Sequence, residues 1–508
     1  MDAPPKLFDL AFEFVVNWYT TGELLTHFST KSLFQTSADH SKALIKEFNP
    51  TKLELNLEYC RYGSFLEIRK LELTVLIIRN FRRISRHVFR IAGEPQRDHF
   101  LIAHFLQDIL SWESREQLRV LDIDEYVPLG DNWMKEVSTM FPKLEVLIIN
   151  KQEFREEDFA ISCKNLKNLH TLGIGHDNLK NLNGISKLTN LKNLIIDGFD
   201  FGSEKDVEEL FQLKNLKTLS FWHNPLLEWK YDFLFAKPFP ELTHLDIGWA
   251  QADDDFLKRI LPKLPKLQVV QANETEIHEN AAPSHVTVYA STDLNSIMKS
   301  LAYFRITKNR HGALWTIDKF WKIYENCWSV QSTCTPDQLT ACVNEVEALI
   351  NTFKFDERVM KSVNFCVGVF ACFAMGDGHF NANKLKIVSL LLQNLKNHLK
   401  IRTSPDHEIF EVVWFNIDKL MGNTENLNTD KIAALAMESI IHCGGNVQCC
   451  AKLLEKILEK MDLSSEYYKK ISLRKLHERL NEIHKNTKML AENRASAGEV
   501  CKHIERFM

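Results

Sequence analysis

Cysteine and histidine side chains, which are common zinc ligands, occur close together in the last third of the chain. His442 and Cys443 are followed by Cys449 and Cys450. A closed zinc site usually contains two cysteines separated by two residues, and the sequence lacks this spacing. The four residues fall on apolar faces of helical patterns, which favours core packing, so we predict no metal and no cofactor. The same interpretation applies to a second group of cysteines, Cys327, Cys334 and Cys342.

Carboxylates, which can act in acid-base catalysis, form two short runs at residues 156–158 and 253–255. Both runs fall between the repeats described below, where solvated acidic side chains are common. The sequence also contains no Walker A, dinucleotide-binding, nucleophile-elbow or HExxH motif. We therefore predict that the chain is not an enzyme.

A phrase of the form Leu-x-x-Leu-x-Leu recurs along the middle of the chain. Its copies start 22 to 26 residues apart, which is the period of leucine-rich repeats. A single repeat cannot bury its own leucines, so each phrase is predicted to form one short strand and the repeats to stack into an α/β solenoid. The copies start at Leu118, Leu144, Leu169, Leu191, Leu216, Leu242 and Leu267, with degenerate copies at Leu53 and Leu73.

The residues between the inward leucines are predicted to face outward on the concave side of the solenoid. Ile148, Ile195 and Trp222 would form an apolar strip there, flanked by Asp197 and Asp246. An aromatic anchor with a polar rim is typical of partner recognition. A face covered by another domain would show the same pattern. The first row is Asp122, Ile148, Gly173, Ile195, Ser220 and Asp246, and the second is Asp124, Asn150, Gly175, Asp197, Trp222 and Gly248.

The repeat period ends after Ala272, and amphipathic helical segments alternate with short breaks from Leu294 onward. Several segments are apolar on more than one face, as in helices packed between layers. Their lengths and connections favour an all-α domain of the armadillo or HEAT kind. The more polar stretch after Glu466 predicts a frayed cap.

Residues 6–26 carry apolar side chains at every third or fourth position, which predicts an N-terminal amphipathic helix. The chain has 508 residues and a formal net charge of −4, and its charges are not organised for nucleic acid. No apolar run reaches the roughly 18 residues of a membrane helix, and the N-terminus lacks signal-peptide features. We expect a cytoplasmic or nuclear chain with no membrane or nucleic-acid partner.

A helix, leucine-rich repeats and armadillo-like helices follow one another in the same order in the Zyg eleven and Zer-one family. The chain resembles this family over nearly its whole length, in pattern more than in identity. Family members are substrate receptors of cullin-2 ubiquitin ligases, so the resemblance implies that function here. The helical segments that resemble the family's armadillo domain are residues 339–375, 379–399, 408–422 and 428–446.

The resemblance implies an elongin-binding box in the first helix. Family members place a leucine, a cysteine and an aliphatic residue four positions apart on one helix face. Leu7, Ala11 and Val15 stand at these places beside Phe14, with alanine replacing the cysteine. A helix that caps the repeats would show the same pattern. The family's cullin-selecting segment would fall near residues 36–45, where Leu44 and Ile45 match and the proline is missing.

The resemblance departs near the C-terminus, where family members bind N-terminal glycine degrons. Cys501 can be matched there, but the tryptophan and aspartate of that site cannot. We therefore assign no degron-binding residue and expect a divergent, shortened member.

These observations predict a non-catalytic adaptor of a cullin-2 ligase that binds elongin C and elongin B and presents an unidentified substrate protein. The alternative is an interaction scaffold or inhibitor that is not attached to a ligase. The predicted domains are residues 1–48 (elongin and cullin-box-like helices), 49–275 (leucine-rich repeats) and 290–508 (armadillo-like helices).

Overall fold

The computed structural model describes most of the chain from residue 51 to residue 506. Residues 1–50 lie outside the described part. The described stretches are 51–56, 68–79, 102–124, 132–149, 154–175, 180–198, 201–221, 229–307, 309–326, 335–353, parts of 359–396 and of 413–420, 429–442, 448–457, 468, 471–486 and 491–506.

The chain divides into two compact units, Met1–Thr292 and Asp293–Met508. The described part of the first unit is a parallel sheet whose strands alternate with helices. The described part of the second unit is helical. The prediction of a repeat solenoid followed by a helical domain is therefore confirmed at this level, and the armadillo or HEAT character of the second unit stays a prediction.

The described strands of the first unit form one ten-stranded sheet, in which each strand pairs with the one before it in the chain. All nine leucine phrases, including the degenerate copies at Leu53 and Leu73, coincide with strands. The strands are β1 (Lys52–Asn56), β2 (Val75–Arg79), β3 (Val120–Asp124), β4 (Val146–Ile149), β5 (Thr171–Gly175), β6 (Asn193–Asp197), β7 (Thr218–Ser220), β8 (His244–Asp246), β9 (Val269–Ala272) and β10 (Thr287–Ala290).

The sheet contains one strand more than the leucine phrases predict. Strand β10 pairs with β9 in parallel, with Thr287 opposite Val269. Val288 and Ala290 of β10 are buried, so this strand continues the core without supplying a leucine. The repeat stack therefore extends to Ala290, beyond the predicted end near residue 275.

Leucines of the phrase form the core of the repeat unit. Leu147, Leu172 and Leu194 lie opposite one another on neighbouring strands, and each is at most 1% exposed. Asparagine side chains also join successive turns: Asn190 Nδ2 donates to the Lys167 carbonyl at 2.9 Å, and Asn215 Nδ2 donates to the Thr189 carbonyl at 2.9 Å. Each repeat is thus stabilised by its neighbour, because no repeat buries this row alone.

Short helices connect the strands and cover the leucine side of the sheet. Trp133 and Phe159 from two of these helices are buried in the same core cluster as the leucines. The helices are α1 (Ile102–Ile109), α2 (Trp112–Gln117), α3 (Trp133–Met140), α4 (Glu156–Asn165) and α5 (Asp254–Ile260), with 3-10 segments Ile185–Lys187, Glu204–Gln212, Trp229–Phe235, Leu261–Lys263 and Glu279–Ala281.

The two acidic runs begin helices and are not turn residues as the sequence suggests. Residues 156–158 form the first turn of α4. Asp253 caps α5, since its Oδ1 accepts a hydrogen bond from the Phe256 amide at 2.7 Å. Carboxylates at these positions interact favourably with the positive end of the helix dipole, which gives the runs a structural role.

Three of the described helices in the second unit begin at a side-chain cap, and the helices bury apolar residues in one core cluster. The first is capped by Asp293, whose side chain accepts from the Ser296 amide at 2.9 Å. The Arg305 guanidinium and the Glu345 carboxylate form a bidentate salt bridge between two helices, in which Arg305 Nε lies 2.6 Å from Glu345 Oε1. The helices are α6 (Leu294–Ile306), α7 (Arg310–Asn326), α8 (Pro336–Thr352), α9 (Thr429–His442), α10 (Gln448–Ile457), α11 (Leu473–Lys485) and α12 (Ala491–Glu505).

The polar stretch after Glu466 contains two helices, α11 and α12, that pack on each other. Leu476 and Leu480 of α11 and Val500 and Ile504 of α12 are fully buried. The expected frayed cap is therefore not what this stretch forms. Its few apolar residues recur at helical spacing, which is enough to give each helix a buried stripe.

Candidate partner-binding face

The side of the sheet opposite the leucine core carries two rows of residues, which we call the open face. Because strand residues alternate between faces, each of the nine strands β2 to β10 contributes one residue to each row. Most are half-buried, whereas Gly173 and Ser220 are buried. The first row is Val75, Val120, Val146, Thr171, Asn193, Thr218, His244, Val269 and Thr287, and the central row is Ile77, Asp122, Ile148, Gly173, Ile195, Ser220, Asp246, Gln271 and Tyr289.

The predicted row from Asp122 to Asp246 is in register across six strands. Ile148 lies opposite Gly173, and Gly173 lies opposite Ile195. A Cβ atom at Gly173 would lie 3.1 Å from Cγ2 of Ile148, so the Ile148 side chain leans over the glycine. Ile148, Gly173 and Ile195 therefore form a continuous apolar patch, which we call the apolar patch below.

Polar residues occupy the open face beyond the apolar patch. Asn193 Nδ2 donates a hydrogen bond to Thr171 Oγ1 at 2.9 Å. Thr243 Oγ1 lies 2.9 Å from Nδ1 of His244. Burial lowers the pKa of His244, so its imidazole is neutral at pH 7. This end of the open face consequently offers hydrogen-bonding groups with few fixed positive charges.

Asp246 is the carboxylate at the polar end of the central row. Its Oδ2 accepts a hydrogen bond from Ser220 Oγ at 3.0 Å, and its Oδ1 accepts one from the Gly248 amide at 3.0 Å. Burial raises the pKa of Asp246 from 3.8 to about 6, although the two hydrogen bonds oppose the shift. None of the ion pairs among the described residues includes Asp246.

The backbone after Asp246 is held by the neighbouring repeat. The amides of Ile247 and Trp249 donate to the carbonyls of Gln271 and Asn273 at 2.9 and 2.8 Å. Trp249 has a φ of 69°, a left-handed conformation that few non-glycine residues adopt. The Asn273 side chain is buried, and within the described structure its Oδ1 has no hydrogen-bond partner. This end of the face therefore combines a fixed carboxylate with a buried acceptor.

Of the remaining predicted site residues, Asp197 is the one within the described structure, two positions after Ile195 on the same strand. Asp197 is the last residue of β6 and pairs with Gly175. Trp222, the predicted aromatic anchor, lies outside the described residues. The predicted elongin-binding and cullin-box-like residues also lie outside them, namely Leu7, Ala11, Phe14, Val15, Leu44 and Ile45.

The sequence analysis described the row from Asp122 to Asp246 but missed the row of the open face that begins at Val75. Val75, Val120 and Val146 of this row lie beside Ile77 and Ile148, which enlarges the apolar surface toward the N-terminal repeats. Strand alternation would have revealed it, because each of these residues precedes a central-row residue by two positions.

Cysteines in the described part have the properties of core residues. Cys163, Cys342, Cys366, Cys450 and Cys501 are free and buried. Burial raises the pKa of the Cys163 and Cys366 thiols, which disfavours the thiolate needed for metal binding or nucleophilic attack. In the described ranges, no three His, Cys, Asp or Glu side chains are grouped so as to hold a metal ion. A search of the same ranges found no helix with the length and apolarity needed to span a bilayer.

No protein-family model matches the sequence. The chain is similar to Gastrulation-defective protein 3 of Caenorhabditis elegans, with 27% identity over 277 residues. The match covers 52% of this chain and 38% of the worm protein. The chain thus matches about two fifths of the length of this curated relative, and the likeness reaches about half of the chain itself.

Proposed function

We propose that the chain is the substrate-recognition subunit of a cullin-2 ubiquitin ligase. The observation that carries the proposal is the ten-stranded repeat sheet, whose open face presents an apolar patch and the half-buried carboxylate of Asp246. The domain order and the similarity to Gastrulation-defective protein 3 support it. In this proposal the chain is not an enzyme and needs no cofactor.

The proposed contribution to ubiquitin transfer is positioning. Leu7, Ala11, Phe14 and Val15 lie on one edge of the predicted first helix, which would enter a hydrophobic groove of elongin C. Elongin B and cullin-2 would join through that contact, with Leu44 and Ile45 in the cullin-box-like segment. The open face would hold the substrate protein, and proximity alone would raise the rate of transfer by the catalytic subunits.

Co-expression with elongin B, elongin C and cullin-2, followed by size-exclusion chromatography, tests this proposal. We expect the wild type to co-elute with the elongins and a Leu7→Asp, Val15→Asp variant to elute alone. An Asp9→Ala, Glu13→Ala variant is the matched control, because it changes the polar face of the same predicted helix. A folded wild type that elutes without the elongins would refute the ligase assignment.

A second candidate function is an interaction scaffold or inhibitor without a ligase. Ala11 in place of the family's cysteine and the missing proline near residues 36–45 favour it. Under this alternative the open face would still bind a partner, but no elongin would co-elute.

A further inference from the structure

We propose that the open face binds a protein segment that places an apolar side chain on the apolar patch and a lysine or arginine side chain on Asp246. This inference rests on the proposed function in one respect, that the open face holds the partner protein. It adds the chemical character of that partner.

The two halves of this site have a defined separation. Ile195 is in β6 and Asp246 is in β8, with Ser220 of β7 between them in the same row. Neighbouring strands lie about 4.8 Å apart, so the two positions are about 10 Å apart along the row. Polyproline II structure brings every third residue to the same face after about 9 Å, and a helix does so for every seventh residue after about 10.5 Å. A short segment can therefore reach both positions.

Among the described residues, the half-buried carboxylate of Asp246 has no cationic partner. Its two hydrogen bonds come from a neutral hydroxyl and a neutral amide, from Ser220 and Gly248. A carboxylate offers about four acceptor positions, so about two are still available for a ligand. Because Asp246 is only half-buried, a side chain from outside can reach them. An ammonium or guanidinium group would supply charge-assisted hydrogen bonds and neutralise the carboxylate.

Within the described part of the chain, the neighbours of Asp246 on the open face do not form an ion pair with it. On the open face, β7 contributes Thr218 and Ser220, and β9 contributes Val269 and Gln271, which do not titrate. In the described strands β7 to β9, His244 is the other titratable group on this face, and burial lowers its pKa and so favours the neutral imidazole. An asparagine could accept the Gly248 amide with Oδ1 and donate from Nδ2 to Ser220 Oγ, which reverses that bond but leaves no charge. The carboxylate therefore serves a purpose that packing does not require.

The apolar patch determines the other half of the partner. Ile148 and Ile195 are half-buried branched side chains on either side of Gly173, so the patch is flat and free of polar groups. Apolar surface of this kind gains free energy when a partner's apolar side chain covers it. Phosphate backbones would be repelled by Asp246, which favours a protein segment over a nucleic acid.

Synthetic peptides and the full-length chain test this inference. The probes are twelve-residue Gly-Ser peptides that contain one leucine at position i and one arginine at a position from i+1 to i+7. A matched set contains glutamine in place of arginine. Binding is measured by fluorescence polarisation at pH 7.5 to the wild type, Asp246→Asn and Ile195→Asp. Asp255→Asn is the control, because Asp255 is an exposed carboxylate in the first turn of α5.

We expect the tightest binding for the peptides that carry arginine at position i+3 or i+7 from the leucine. Asp246→Asn should weaken the arginine peptides about tenfold to a hundredfold, the range for a hydrogen bond to a charged group, and leave the glutamine peptides unchanged. Asp255→Asn should bind like the wild type, and Ile195→Asp should bind neither set. Equal affinity of wild type and Asp246→Asn for every arginine peptide would overturn the inference. So would a wild-type dimer that Asp246→Asn dissociates, since the occupant would then be a second copy.

Elongin co-elution separates this inference from the proposed function. If Asp246→Asn loses peptide binding but still co-elutes with the elongins, both stand. Peptide binding that depends on Asp246 in a chain that never binds elongins would support the site and refute the ligase assignment.

Discussion

Replacement of Asp246 by asparagine should stabilise the repeat unit above pH 6. The folded-state pKa of this carboxyl is about 6, compared with 3.8 for an exposed aspartate. A carboxyl whose pKa is raised by folding binds more protons in the folded state, so its ionisation lowers the free energy of unfolding as the pH rises from about 4 to about 6. Asparagine can keep the hydrogen bonds to Ser220 and Gly248 and removes the ionisation.

The expected size of the effect follows from the two pKa values. A difference of about two pKa units corresponds to about 3 kcal/mol of lost stability at pH 8, where Asp246 is ionised in both states. At pH 4.5 the folded state is mostly protonated, and the loss falls to about 1 kcal/mol. The gain from Asp246→Asn should therefore be about 2 to 3 kcal/mol at pH 8 and shrink markedly at pH 4.5.

Urea unfolding of the full chain at both pH values, followed by circular dichroism, measures this gain. The relevant transition is the one that Leu172→Ala shifts, because Leu172 lies in the core of the repeat unit. Asp255→Asn should lower the free energy of unfolding by no more than about 0.3–1 kcal/mol at pH 8, through loss of its helix-dipole contact, and should raise it at neither pH value. A lower urea midpoint for Asp246→Asn at pH 8, or a gain that does not depend on pH, would contradict the assignment of a half-buried carboxylate whose pKa is raised by folding.

Three further experiments test other parts of the structure. Leu172→Ala should cost about 2–5 kcal/mol of unfolding free energy, whereas Ile148→Ala on the open face should cost about 1 kcal/mol or less, as urea titrations would show. Gly184→Ala should lower the thermal midpoint of unfolding by several degrees, because Gly184 has a φ of 95° and a Cβ atom there would lie 2.6 Å from the Ala160 Cα. Gly202→Ala is the matched control, because a Cβ atom at Gly202 would come no closer than 3.6 Å to its neighbours. Cys163 should resist a thiol reagent at pH 8 in the native chain and react in urea, by site-resolved mass spectrometry; labelling of the folded protein would contradict its burial.

The sequence predicted the repeat sheet well because one short phrase encodes both the strand and its burial. Leu147 and Leu172 are inward-facing residues of that phrase, and both are buried as the pattern requires. Strand β10 was missed because Val288 and Ala290 occupy the leucine positions. A frayed cap was predicted where helices α11 and α12 lie, because the apolar stripe of each helix is narrow and most residues of this stretch are polar.

The properties of the candidate site depend on residues that are distant in sequence. Ser220 and Asp246 are 26 residues apart and meet only because their strands pair in register. The pKa of Asp246 depends on burial by that stack, and composition alone does not reveal it. Sequence did place Asp246 in the correct row, because the spacing of the phrases fixes the register. Its role in partner binding stays a prediction.

The strictly sequential order of the strands determines how far the effect of a destabilising substitution extends along the sheet. Each strand pairs with its predecessor and its successor in the chain, so most stabilising contacts join residues that are close in sequence. Folding can then start in one well-packed group of repeats and extend outward. A harmful substitution in one repeat would open the stack locally and expose two new strand edges, which are templates for pairing with other chains. Variants of the central repeats should therefore be lost to aggregation more readily than variants at either end.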